Sequence, residues 1–167
     1  LDRSDSAVML ARLHRRSQLV VPLDREGRRY RYHHLLLEAL QAELRMTDPA
    51  AIPVLHGRAA RWFADDGDPD AAIRHATSSG DMGLVAACLW PQVPECVGSG
   101  HPDRLRAWLG ALTDRQIASD RWLSLAAGWL AMQIGTQDGT AKWILTAQRH
   151  AGGQWRSSVT TDEYAAS

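Results

Sequence analysis

Two adjacent histidines, His33 and His34, stand where a short alternating run, Tyr30-Arg31-Tyr32, meets the helix-period stretch Leu35 to Leu44. The first turn of a helix carries backbone N–H groups without intrahelical partners and a partial positive charge. An imidazole placed there could help to hold a phosphate or carboxylate. Metal binding is the other chemistry that paired histidines suggest. Neighbouring helical residues point about 100° apart, a poor geometry for one ion, so no metal site is expected. The bland alternative is a histidine that only caps the helix.

Little else in the chain could do covalent chemistry. There is no Gly-x-x-x-x-Gly-Lys-Ser/Thr loop, no Gly-x-Ser-x-Gly, no His-Glu-x-x-His and no Cys-x-x-Cys. The expectation is a non-catalytic chain without a phosphate cradle of its own. Cys88 and Cys96 are eight residues apart on what reads as one helix, roughly 12 Å along its axis and too far for a disulfide. Reduced thiols point to a cytoplasmic protein. No signal peptide and no apolar run near the roughly 20 residues of a membrane span is present. The chain opens at Leu1 in a helical pattern without an initiator Met, which suggests a piece of something longer.

The elements that position His33 follow from local patterning. Ser6 could cap a helix with apolar positions Val8, Leu10, Ala11 and Leu13, running to about Arg16. Leu19, Val21 and Leu23 alternate with Val20 and Pro22, a short strand. Asp24-Arg25-Glu26-Gly27 reads as a turn. Tyr30 to Tyr32 forms the returning strand, and the helix beyond it puts Leu37, Leu40 and Leu44 on one face, flanked by Leu36. Helix, β-hairpin, helix is the core of a winged helix lacking its first helix, and Asp48-Pro49 closes it.

Past that point only helices are expected, and they repeat. Gly67-Asp68-Pro69-Asp70, Gly100-His101-Pro102-Asp103 and Gly135-Thr136-Gln137-Asp138 share Gly-x-x-Asp at spacings of 33 and 35. The Gly would end one helix in a left-handed conformation and the Asp would cap the next. Ala59-Ala60-Arg61-Trp62 and Ala126-Ala127-Gly128-Trp129 lie 67 apart, near two periods. Helix pairs are therefore expected at about 50–65 with 69–79, 83–97 with 102–112, and 121–134 with 138–150. Their apolar stripes read as Ile52, Leu55, Ala59, Trp62 and Phe63; Leu105, Trp108, Leu109 and Leu112; and Ala141, Ile144 and Leu145. A period near 34 with two helices per unit is the tetratricopeptide class of solenoid. The fold expectation is mostly α: a partial winged helix at 1–48, tetratricopeptide-like antiparallel helix pairs at 49–151, and a tail or truncated next helix at 152–167.

Charge and aromatic content leave options open. Residues 1–47 hold nine Arg against six acids, and the remainder ten basic residues against thirteen acids, so the chain divides into halves of about +3 and −3. Arg12, Arg15, Arg16, Arg25, Arg28, Arg29 and Arg31 could make a DNA-binding wing, with a solvated face as the plainer reading. Among seven Trp, Trp62, Trp108, Trp122 and Trp129 fall at core-like positions. Trp90 and Trp155 are the candidates for an interaction surface.

Leu13 to Leu23, then Tyr30-Arg31-Tyr32-His33-His34-Leu35, then Leu55-His56-x-x-Ala59-Ala60-x-Trp62, resemble the central region of large LuxR-type activators of the maltose-regulon kind, members of the signal-transduction ATPases with numerous domains. The resemblance runs from about residue 1 to 150, and its most specific parts are Tyr30 to Leu44 and the Trp62-x-x-x-x-Gly67 turn. It implies an upstream nucleotide-binding domain, a helical-repeat sensor for an inducer or partner, and a downstream DNA-binding domain in the same protein. In related ATPases a Met-His-Asp-Leu motif on the winged helix touches the β-phosphate of ADP. Tyr32-His33-His34-Leu35 falls on that motif, which implies a sensing role for His33 toward ATP or ADP. The departures are Tyr32 for Met and His34 for Asp, so the acid of the motif is missing. Direct DNA binding by this region is then not expected. The alternative is a stand-alone tetratricopeptide-like adaptor binding a peptide or partner helix.

Overall fold

Residues 6–16, 19–23, 30–99 and 102–150 are described in a computed structural model of the chain. The Asp24–Gly27 turn, Gly100-His101 and the 152–167 tail, including Trp155, lie outside the described residues. Two compact units divide the chain, Leu1–Arg58 and Ala59–Ser167, with the division falling inside a helix. No described helix is long and apolar enough to cross a membrane.

The first unit begins with α1 (Ser6–Arg16), followed by strands β1 (Val20–Pro22) and β2 (Tyr30–Tyr32) and helix α2 (His34–Thr47). The strands pair antiparallel, Val20 opposite Tyr32 and Pro22 opposite Tyr30. His14 on α1 approaches the Val20 carbonyl through Nδ1 at 2.8 Å, so the hairpin is tied to the helix before it. Val20 is fully buried while Leu19 and Val21 are exposed, so the strand turns its even-numbered residue inward. The expected apolar face of α2 is uncovered: α2 has no buried residue, and Leu37 and Leu40 are exposed. Val20 is the only fully buried apolar side chain among the described residues of this unit.

After α3 (Ala51–Asp65) the chain is helical throughout its described residues: α4 (Pro69–Ser79), α5 (Met82–Leu89), α6 (Val93–Gly98), α7 (Pro102–Gly110), α8 (Asp114–Ala118), α9 (Arg121–Gln133) and α10 (Gln137–His150). Paired helices follow the helix–hairpin–helix unit, as the sequence predicts. Two elements depart from expectation. The single helix at 83–97 is broken, because Pro91 and Pro94 each remove an N–H and crowd the preceding turn. A 3-10 turn at Trp90–Gln92 separates α5 from α6. Cys88 and Cys96 consequently sit on different helices, both buried and reduced. The extra helix is α8, started by a reciprocal cap: Gln116 N–H donates to the Thr113 hydroxyl and the Thr113 N–H donates to the Gln116 side chain.

Two glycines of the repeat, Gly67 and Gly135, take φ of 79° and 75°, the left-handed conformation that ends a helix without a Cβ clash; the third, Gly100, lies outside the described residues, and Gly80, which the repeat did not include, takes 74°. The aspartate part is displaced by two residues. Asp68, directly after Gly67, caps α4 by accepting from the Ala71 N–H at 3.0 Å, and Asp81 caps α5 in the same way. A cap residue must sit just before the first turn, whereas Asp70, Asp103 and Asp138 lie within it.

Asp70 has another use. Its carboxylate accepts from the Trp108 indole Nε1 at 2.8 Å and from Arg104 at 2.9 Å, linking α4 to α7. Arg104 lies 34 residues beyond Asp70, one period along. Asp70→Ala would leave the mostly buried indole N–H without an acceptor, a loss of about 1–2 kcal/mol, while the exposed ion pair adds about 0–1. Asp70→Asn keeps an acceptor and should recover most of that loss in urea unfolding. Equal destabilisation by the two variants would contradict the indole bond.

The core of the second unit joins Ala72, Ile73 and Ala76 of α4, Val85 and Leu89 of α5, Leu105 and Leu109 of α7, and Leu123 and Ala127 of α9. The expected α7 stripe is buried as predicted. The α3 stripe is rotated: Ala60 is buried and Phe63 half-buried, while Leu55 and Trp62 are exposed. On α10 the buried residues are Trp143, Thr146 and Ala147, and the predicted Ala141, Ile144 and Leu145 face outward. The core positions expected for Trp62, Trp122 and Trp129 are likewise corrected, for these rings are 47%, 39% and 38% exposed. Trp108 is buried as expected, and Trp143, not among the expected core positions, is buried as well.

Candidate functional site

His33 is the residue immediately before α2, in an extended conformation with φ −57° and ψ 139°. Its backbone is fully engaged. The N–H donates to the Leu19 carbonyl at 2.7 Å, and the carbonyl accepts from Leu37 N–H at 3.0 Å. The first bond extends the hairpin by one rung and fixes where α2 departs. The side chain makes no bond to the helix it precedes, so the N-terminal N–H groups of α2 are not capped by His33. No acidic residue occupies the first turn to neutralise the helix end.

His33 and His34 are both exposed, and their rings lie 4.4 Å apart at an interplanar angle of 34°. The stacking arises because His33 is extended and only His34 is helical, so the 100° divergence of two helical neighbours does not apply. What this arrangement offers is a positive helix end with two ring N–H donors beside it, chemistry suited to an anion. No group of three or more His, Cys, Asp or Glu side chains that could hold a metal occurs among the described residues.

The other candidate residues are not brought to this place. Trp90 is half-buried against the core of the second unit and meets Trp122 at a tilt of 43°, with ring centroids 4.7 Å apart. Trp155 lies outside the described residues. Of the seven arginines, Arg12 and Arg31 are exposed, and the side chains of the other five are outside the described ones. Both cysteine thiols are pushed up by burial, with Arg61 acting the other way on Cys88 and Arg104 on Cys96. They are poor nucleophiles as they stand.

A second cluster escaped the sequence reading. Arg104 sits 4.9 Å over the Trp108 ring, Arg121 4.5 Å over Trp122 and Lys142 4.4 Å over Trp143. Only Arg104 and Trp108 carried a sequence signal, because residues four apart meet on a helix face; Arg121 and Lys142 directly precede their Trp, a spacing that announces nothing.

Comparison with known proteins agrees with this architecture. Residues 1–52 match the family described as MalT winged helix domain. The HTH-type transcriptional regulator MalT of Vibrio cholerae is 28% identical over 129 residues, 77% of this chain and 14% of that protein. The regulator of the same name from Vibrio campbellii is 27% identical over 146 residues, 87% of this chain and 16% of that protein. That from Vibrio parahaemolyticus is 28% identical over 129 residues. The chain thus spans about one seventh of the length of the curated relatives it matches. No solved structure matches it. A match to the MalT winged helix domain at its start, leading into helix pairs, and regulators named MalT among the proteins it resembles make this chain similar to the central part of MalT-type transcriptional regulators.

Proposed function

We propose that the chain is the regulatory segment of a multidomain, ATP-dependent transcriptional activator, coupling nucleotide state to inducer or partner binding on the helical repeats. The observation that carries the reading is the MalT winged helix at residues 1–52, followed directly by helix pairs. Exposed apolar side chains on the first unit support a neighbouring domain. Leu35, Leu37 and Leu40 of α2 and Val8 and Met9 of α1 are all at least 42% exposed. A stable soluble surface rarely leaves so much apolar area uncovered. An upstream nucleotide-binding domain is the partner this surface suits.

Within that reading His33 reports the nucleotide. The uncapped start of α2 fits an anionic group, and ADP supplies a terminal phosphate when bound in the parent protein. His33 would donate one ring N–H to it, and the backbone N–H groups of the first turn would add to the attraction. The bond between His33 N–H and the Leu19 carbonyl holds the imidazole at a set position relative to the hairpin. Only contacts that differ between the two nucleotide states can switch the protein, and a bond to one phosphate position is such a contact.

The test is His33→Ala in the intact protein. The expected result is faster ADP loss and raised basal transcription. Unchanged nucleotide occupancy together with unchanged basal transcription would remove His33 from the mechanism.

A further inference from the structure

The residues on the outer face of α10 are spaced symmetrically about its middle. Gln137, Ala141, Ile144 and Gln148 follow one another at intervals of four, three and four, so they share one stripe with an amide at each end. Trp143, Thr146 and Ala147 hold the helix by its other side, against α9. The stripe itself is uncovered: Ala141 and both glutamines are exposed, Ile144 is 41% exposed and its neighbour Leu145 57%. Together with Met132 of α9 these residues line an open groove of about 700 Å³. A helix with a second apolar stripe of this kind normally has a second neighbour.

The chemistry of the stripe says which neighbour fits. No described residue lining the groove carries a charge. Lys142, which falls between Ala141 and Ile144 in the chain, reaches instead to Asp114 of α8 at 2.7 Å and lies over the Trp143 ring. A strongly acidic or basic partner would find no counter-charge here, and a second copy needs none. Around a two-fold axis a patch meets itself, so a charge near the axis repels its twin, whereas a glutamine amide both donates and accepts and can satisfy another glutamine. Laid antiparallel on its twin, the stripe puts Gln137 opposite Gln148 of the second copy and the small Ala141 opposite the larger Ile144. Small against large is how facing helices interdigitate.

We propose that the uncovered stripe of α10 is the contact between two copies of this chain, packed antiparallel about a two-fold axis. The proposal is independent of the role given to His33. Helix α10 is 14 residues long, and with Met132 at its edge the face is narrower than a standard interface of about 800 Å² per partner. The dimer is accordingly expected to be weak, with a Kd on the order of 10 µM.

Sedimentation velocity on the 167-residue chain between about 1 and about 200 µM tests this. The parent should pass from its 18.5 kDa monomer to twice that mass as concentration rises. Ile144→Asp brings two carboxylates close to the axis and should keep the chain monomeric over the same range, with its helical circular dichroism unchanged. Two double variants report the direction of packing. Gln137→Glu with Gln148→Lys sets opposite charges against each other at both ends of an antiparallel pair, and Gln137→Lys with Gln148→Lys sets like charges there. The first should dimerise about ten-fold more tightly than the second. A parent that stays monomeric throughout overturns the proposal and leaves the groove to a different protein. A dimer that Ile144→Asp does not weaken, or equal affinities of the two double variants, overturns it as well.

Discussion

Leu123→Ala is expected to lower the unfolding free energy of the helical unit by about 3 kcal/mol, within the usual range of about 2–5 for a leucine truncated in a packed core. Leu123 is fully buried on α9, the helix that packs against α10, α8, α7 and α5. With neighbours from so many elements, the walls cannot collapse into the space left behind, so the cavity cost adds to the lost burial. In urea the midpoint should fall at unchanged slope, the sign of a change in stability alone. The melting temperature should drop by roughly 10 °C or more for a unit of this size. Val20→Ala offers the control. Val20 is equally buried but stands alone as a buried apolar side chain among the described residues of its unit, so its surroundings can close over a smaller loss. A Leu123→Ala cost below about 1 kcal/mol would mean that α9 is not the centre of the core.

The contrast between these two positions bears on function. The helical unit has a core of its own, drawn from α3 to α10. The winged-helix unit displays Leu35, Leu37 and Leu40 and buries little among its described residues. A module so thinly supported internally is suited to taking its stability from a neighbour, and a neighbour that changes with nucleotide would then shift its position. His33 lies in this thinly supported unit, held to the hairpin by the bond from its N–H to the Leu19 carbonyl.

How far the sequence could be read varies by element. Helix boundaries at 51–65, 69–79 and 137–150 were legible because glycine and proline act locally: Gly67, Gly80 and Gly135 take left-handed φ, which few other residues tolerate. The hairpin was legible for the same local reasons, although which strand residue turned inward was not. Helix faces were harder. On α10, Ala141, Ile144 and Leu145 form one apolar stripe and Trp143 and Ala147 another, and periodicity cannot choose between them. The choice is made by packing against α9, where Gly128 faces Trp143 and Ile144. The tryptophans misled because a large ring can lie half-exposed across a surface, as Trp62, Trp122 and Trp129 do. The break at Trp90–Gln92 and the Thr113-x-x-Gln116 cap carried recognisable signals that the longer repeat pattern overrode. At the site itself, the position of His33 just before α2 was readable, while its stacking on His34 depended on an extended conformation that the adjacent strand imposes.

Gly128 shows how close that helix approach is, and it yields a pair of opposite outcomes. A Cβ placed there would lie 3.6 Å from Ile144 Cγ1 and 3.6 Å from Trp143 Cβ, ordinary contact distances. Gly128→Ala therefore fits, and it gains the helix preference of Ala over Gly, up to about 1 kcal/mol. Gly128→Leu does not fit. Its additional carbons would have to enter the space of the α10 backbone, since the Ile144 N already lies 3.9 Å from that Cβ. Overpacking a filled contact costs about 1–3 kcal/mol, and the helix preference of Leu over Gly offsets only part of it, so a net loss of about 1–2 kcal/mol is expected. Urea unfolding of the two variants checks the reading: the alanine form should be as stable as the parent or more so, and the leucine form markedly weaker. If both variants matched the parent, α10 would not be seated on Gly128, and the choice of its buried face would need another cause.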